Sequence, residues 1–298
     1  MSGLVIHNFS HNFLGTPFWI RVADEDYAYA QQATSAIFYH LNTLLPQIDV
    51  HEVDGPMTGI NQMPLGGLVP VGDHFKDLWG FAERLKVMSN GAFDVSGGKV
   101  FSFLEKANGE IPTDSSEFGE LFESVGKTEW SLSGNEFCRI QGDAVIDFSA
   151  LVKGYLCDVA ADLLENRWGI HRALILAGGN RVLALDSPEG TSGWRLGIGE
   201  NQQIFLSRSA MVTKFGAQSS SHLVNLLTRE IVRSLQPLRV LAKEAMQAEG
   251  LSCAWALMTP SQVEANLLTN PDWGVWWADH TRRGLAQKLK PTPLSASS

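Results

Sequence analysis

The stretch D147-FSALVKGYLC-D158 decides how this chain folds. Val145-Ile146-Asp147-Phe148 reads as the end of a strand and Ser149 as a helix N-cap. Val152, Tyr155, Val159 and Leu163 then recur at helical spacing, so a strand passes directly into a helix. Lys153 falls in the opening turn. A helix start carries partial positive charge and unpaired N–H groups, which disfavours a cation there by up to about 1 kcal/mol. Either an anion docks against Lys153 or the lysine is a solvated surface residue. Gly154 beside it, without a Cβ, admits a ligand or another backbone, at a cost of about 1 kcal/mol against alanine inside a helix.

Outward from this segment the pattern alternates between strand and helix signals. Residues 18–22 read as a strand, and Ala30, Ala33, Ile37, Leu41 and Leu44 mark one face of a long helix ending near Pro46. Residues 49–71 read as an irregular loop, and 74–89 as a helix stopped by Asn90-Gly91. After a stretch at 104–123 with no clear pattern, residues 128–140 carry a hairpin signature with Ser-Gly-Asn at the turn. Further strands are expected at 173–176, 181–185, 194–198 and 207–213, then helices at 241–258 and 260–269 and a Trp-rich strand at 273–277. There are no repeats, and no shift in composition marks a linker. The expectation is an α+β fold with mixed or antiparallel sheets and packed helices. It forms one domain over residues 1–290, and PTPLSASS at 291–298 is expected to be a disordered tail.

Composition excludes several classes. The chain has 298 residues, 44% hydrophobic and 18% charged, enough for a large core. Its net charge of −9 and only 23 Lys and Arg, spread along the chain, argue against nucleic acid as a partner. Cys138, Cys157 and Cys253 are far apart and without CxxC spacing, so neither a disulfide framework nor a zinc site is suggested. The N-terminus lacks a signal-peptide pattern, and no apolar run approaches the ~18 residues a membrane span needs. A cytoplasmic protein without stable membrane insertion is expected, periplasmic only if a leader has been removed. Motifs for P-loops, dinucleotide-binding turns, nucleophile elbows and zinc proteases are absent, and Ser219-Ser220-Ser221-His222 is no triad, because triad members converge from separate elements.

The short motifs, taken in order, resemble the ApbE family, whose members are flavin transferases that move FMN from FAD onto a threonine or serine of a target protein. They are Leu14-Gly15-Thr16, Ile60-Asn61, Gly91-Ala92-Phe93-Asp94, the 147–158 segment, and Leu176-Ala177-Gly178-Gly179-Asn180 where the family has Gly-Gly-Asp. The resemblance covers nearly the whole chain. It implies FAD as substrate, an acceptor protein carrying a Thr or Ser as partner, release of AMP, and Mg²⁺ (or Mn²⁺) as the metal. By this resemblance Ala92, Phe93, Asp94 and Lys153 contact the flavin nucleotide, Ala150 contributes a metal ligand from the strand-to-helix turn, and His222 is the general base. Asp158, the last residue of its motif, is read as a cap or ion-pair partner.

Two departures stand out. Where the family has an Asp and, four residues later, a Thr on one helix face for magnesium, this chain has Glu249 and Cys253, and a thiol is a poor ligand for a hard cation. Where the family has His-x-x-Asp-Pro-x-Thr-Gly, this chain keeps His222, Asn225 and Thr228 but loses the proline and final glycine. The expected function is therefore FMN transfer, with a flavin-binding relative that has lost transfer, acting as carrier, regulator or assembly partner, as the alternative.

Overall fold

The computed structural model describes residues 5–107, 109, 116–199, 201–214, 223–232 and 236–293. The chain opens with a hairpin of β1 (Ile6–Phe13) and β2 (Thr16–Ala23), closed by Leu14 and Gly15, both at positive φ (50° and 67°). That two-residue turn twists with its strands and suits Gly15, whereas Leu14 adopts a left-handed conformation unusual for its side chain. Helix α1 (Tyr27–Ile48) starts at Asp26, whose side chain accepts the Tyr29 N–H, and buries Ala30, Ala33, Ile37, Leu41 and Leu44. It runs past Pro46 rather than ending there. A proline in the last turn removes few bonds, and Ile48 is buried with Leu44, so packing holds that turn.

The expected loop at 49–71 contains two elements. They are α2 (Pro56–Gln62), with proline at its first position, and β3 (Leu68–Pro70). Both are too short to show a period. Helix α3 (Asp73–Met88) follows and ends at the positive-φ pair Asn90 and Gly91. Next come α4 (Gly98–Lys106) and α5 (Ser116–Leu121). The expected hairpin is β4 (Glu129–Ser133) and β5 (Glu136–Gln141), turning at Gly134-Asn135, with β3 on its other side.

Residues 145–148 are not a strand; Val145 alone makes an isolated parallel bridge, to Gly97. Their backbone is answered by a side chain: Asn61 donates to the Ile146 carbonyl at 2.9 Å and accepts the Ile146 N–H at 2.8 Å. Val95 and Val145 complete the pairing through Asp147 N–H to Val95 O (2.8 Å) and Gly98 N–H to Val145 O (2.9 Å). Ser149 is the first residue of helix α6 (Ser149–Asp162) rather than its N-cap, which is Phe148; Asp147 Oδ1 accepts the Ser149 N–H at 2.7 Å.

The rest of the chain completes an eight-stranded antiparallel sheet. β6 (Ala173–Ala177) and β7 (Arg181–Ala184) form a hairpin, β8 (Trp194–Gly199) and β9 (Gln202–Leu206) a second one, and β10 (Ser209–Lys214) returns beside β7. After the short pair β11 (Leu223–Asn225) and β12 (Glu230–Val232), β13 (Leu238–Ala242) takes the place of the first turn of the helix expected at 241–258. A short apolar run does not distinguish the two. Helix α7 (Ala245–Trp255) begins only afterwards, followed by α8 (Pro260–Thr269), β14 (Gly274–Trp277), β15 (Arg282–Gly284) and β16 (Thr292–Pro293), which pairs with β9. Residues 294–298 of the expected tail lie outside the described residues.

The sheet order is β1-β2-β6-β7-β10-β13-β14-β15. Its residues alternate between two cores. Ala173, Ile175, Leu183, Ala210, Val212 and Val240 face the helices, while Leu174, Val182, Met211 and Leu241 face the β8–β9 hairpin. Helices α6 and α7 cross the first face in close contact at Gly154, where a Cβ would lie 2.7 Å from the Ala245 carbonyl oxygen and 2.8 Å from the Met246 Cα. The glycine thus admits another backbone. Among the described residues no helix is long and apolar enough to cross a membrane. Gly154→Ala should force α6 and α7 apart and lower unfolding free energy by about 1–3 kcal/mol in urea titration, as overpacked cores do.

Candidate functional site

Five segments converge at the head of α6. Gly178 on the β6–β7 turn lies against the β1–β2 turn: a Cβ at Gly178 would sit within 4 Å of Thr16 Oγ1, Asn180 Oδ1 and Arg181 Nη1. Asn180 ties this turn to β10, its side chain donating to the Thr213 carbonyl at 3.0 Å while its own carbonyl accepts the Thr213 N–H at 2.8 Å. Arg181, two residues before Leu183 on β7, therefore points to the helix face, where α7 presents Glu249.

Glu249 is 2% exposed, and both its oxygens are engaged. Oε1 accepts from Arg181 Nε at 2.5 Å and from Nη2, and Oε2 accepts the Gly154 N–H at 2.6 Å. In a regular helix that N–H would answer the Ala150 carbonyl, so the buried carboxylate reaches into the second turn of α6. Arg181 Nη1 donates onward to Asn180 Oδ1 at 2.6 Å. Burial opposes the Arg181 charge, but Glu249 outweighs it and raises its pKa. One turn along α7, Cys253 is also buried, and Lys214 Nζ donates to its Sγ at 3.3 Å.

Lys153 stands beside this group, half-buried. Among the described residues its ammonium has no hydrogen-bond partner. Burial first, and the Arg181 charge second, hold its pKa below the ordinary lysine value, with Glu249 pulling the other way. Four residues into α6, Lys153 is a desolvated cation without a partner among the described residues, an arrangement that burial penalises. Asp158 takes the structural part expected of it, accepting the N–H groups of Ala245 (2.6 Å) and Met246 (2.8 Å) and so capping α7.

The Ala92–Asp94 turn is a separate wall, joined to the head of α6 through the Val95–Asp147 bond. Ala92, Phe93 and Asp94 are all buried. The Ala92 carbonyl accepts the Leu226 N–H at 3.0 Å, and Asp94 accepts the Ser96 N–H at 2.8 Å and pairs with Lys86 at 2.9 Å. Phe93 belongs to the core. His222 lies outside the described residues.

These motifs keep the order expected of one family, and the ApbE family model matches residues 14–273. The chain belongs to the ApbE family. The flavin transferase ApbE from Vibrio cholerae superposes with a TM-score of 0.79 at 20% identity, covering 98% of each chain. The Pseudomonas stutzeri flavinyl transferase ApbE gives 0.78 at 19% identity over 98% of this chain and 95% of that one. The ApbE protein from Thermotoga maritima gives 0.77 at 17% identity over 94% and 97%. No curated protein matches the sequence.

Against the ApbE expectation, the residues do not fit magnesium. Mg²⁺ demands oxygen ligands in a tight octahedron, whereas Glu249 has both oxygens committed and Cys253 offers sulfur already bonded to a lysine. Among the described residues no group of three His, Cys, Asp or Glu side chains could hold a metal ion. Sequence reasoning missed Arg181 and Lys214. Their signal was a charge in each of two apolar strands, Arg181-Val-Leu-Ala-Leu185 and Ala210-Met-Val-Thr-Lys214. A groove of about 740 Å³ opens further along α6, near Tyr155, Asp158, Arg208 and Lys243, but it contains none of the expected contact residues.

The protonated form of Lys153 is the one that attracts a diphosphate. Affinity for ADP, whose phosphates have finished titrating by then, should be full near neutral pH and fall as pH rises through the Lys153 pKa, below the ordinary value of about 10.4. Calorimetry across that range should show proton uptake on binding, and Lys153→Met should remove both effects.

Proposed function

We propose that this ApbE-family chain binds FAD at the head of α6 and moves its FMN moiety to a threonine or serine of an acceptor protein, releasing AMP. The observation that carries the reading is Lys153, half-buried and without a hydrogen-bond partner among the described residues, next to the Arg181–Glu249 pair. In the reaction the acceptor hydroxyl oxygen attacks the FMN phosphorus, the bond from that phosphorus to the bridging oxygen breaks, and AMP leaves with that oxygen. Lys153 stabilises negative charge on the phosphoryl oxygens, and His222 takes the hydroxyl proton. No step is assigned to a metal.

The second reading is a flavin-binding relative without transfer, serving as carrier, regulator or assembly partner. It is favoured by the commitment of Glu249 and Cys253 to Arg181 and Lys214. A working enzyme should yield an acceptor peptide heavier by FMN, with free AMP, on incubation with FAD. Flavin fluorescence should show FAD binding by the wild-type chain, weakened by about 1–3 kcal/mol in Lys153→Ala, the range for a charge-assisted hydrogen bond. His222→Ala should bind FAD normally while losing transfer. Binding without transfer by the wild type would select the second reading, and no FAD binding would remove both.

A further inference from the structure

The geometry points to an arginine in the place of the metal: Arg181, seated on Glu249, with Lys214 on Cys253, makes this ApbE-family site independent of divalent cations. This rests on the proposed flavin-nucleotide reading for its ligand, though not for its test. Two of the three positions expected to ligate the metal, Glu249 and Cys253, each carry a side-chain cation instead. Arg181 reaches Glu249 Oε1 through Nε at 2.5 Å and also through Nη2, and Lys214 Nζ meets Cys253 Sγ at 3.3 Å. Two monovalent cations thus stand where one divalent ion would, so the positive charge facing Lys153 and its anion is kept.

Three features make this a built arrangement. Glu249 is 2% exposed, so it cannot turn to water and requires a cation at all times. Its second oxygen is held by the Gly154 N–H, which fixes the carboxylate's orientation. Arg181 is itself held from the far side by Asn180, whose side chain and backbone are locked to Thr213. A metal would have to displace a guanidinium bonded on both sides, to Glu249 and to Asn180. The longer side chain of Glu249, an obstacle to a tight octahedron, spans the gap from α7 to the arginine on β7 and to the start of α6.

The test begins with MnCl₂ and MgCl₂ added to the wild-type full chain. No binding heat is expected, and no change in melting temperature between either salt and EDTA, whereas a bound ion would raise it. FAD affinity should agree within twofold in EDTA and in Mg²⁺. Arg181→Gln strands a buried carboxylate and should lower the melting temperature by several degrees, and Glu249→Gln in the same chain should restore most of the loss. Arg181→Ala with Cys253→Thr should gain a Mn²⁺-dependent rise in melting temperature. Saturable Mn²⁺ or Mg²⁺ binding by the wild type that is lost in Glu249→Gln overturns the inference, as does a tenfold or greater tightening of FAD by Mg²⁺. If the arginine variants fail to fold, the wild-type metal titration decides alone. If FAD binds in neither buffer, the flavin reading fails while the metal titration still decides the arginine's role.

Discussion

The buried carboxylate of Glu249 is the constraint around which the site is organised. An ionised group at that depth is tolerated only with a cation and hydrogen-bond donors at hand. Meeting that need fixes several elements. Helix α6 must approach α7 closely enough for the Gly154 N–H to reach it, which excludes a Cβ at that position. Strand β7 must begin so that Arg181 falls on the helix face, which sets the length of the Gly178-Gly179-Asn180 turn. Asn180 then couples this turn to β10 and so to Lys214.

The frame was legible where a periodic pattern coincided with burial on one side. Helices α1, α3 and α6 and strands β2, β6 and β7 show this, since a face packed against the core leaves its period in the sequence. Elements that depend on distant partners were not legible. Residues 145–148 look like a strand, but Val145 makes only an isolated bridge and Asn61 answers Ile146 in place of a neighbouring strand, and a side chain that imitates a backbone has no local signature. β13 carries the same apolar composition as a helix turn, and only its pairing with β10 and β14 selects the extended form.

The site was legible in part for a related reason. Lys153, Glu249 and Cys253 could be picked out because motif positions mark them. Their partners could not, because Arg181 and Lys214 are far from them in sequence and matter only through the register of β7 and β10. The reading of Gly154 left a ligand and a backbone open, and the distance to Ala245 decides for the backbone. Among the described residues, Lys153 alone of the three cations is then left without a partner. That gives the cluster a division of labour: two cations neutralise the interior, and one faces what binds.

The antiparallel sheet also has consequences for how the chain is made. Phe18 pairs with Ala177, and Lys214 with Leu238, so the strands that carry the site join segments widely separated along the chain. Such closures cost loop entropy before any contact repays it, which makes them slow steps of folding. Helix α6 can form locally as soon as it is synthesised, but its lysine then has neither Arg181 nor Glu249 in position beside it. Glu249 leaves the ribosome after Lys153, Arg181 and Lys214. The nascent chain therefore carries this cationic cluster uncompensated until α7 docks, and the anion-binding geometry is among the last features of the fold to be completed.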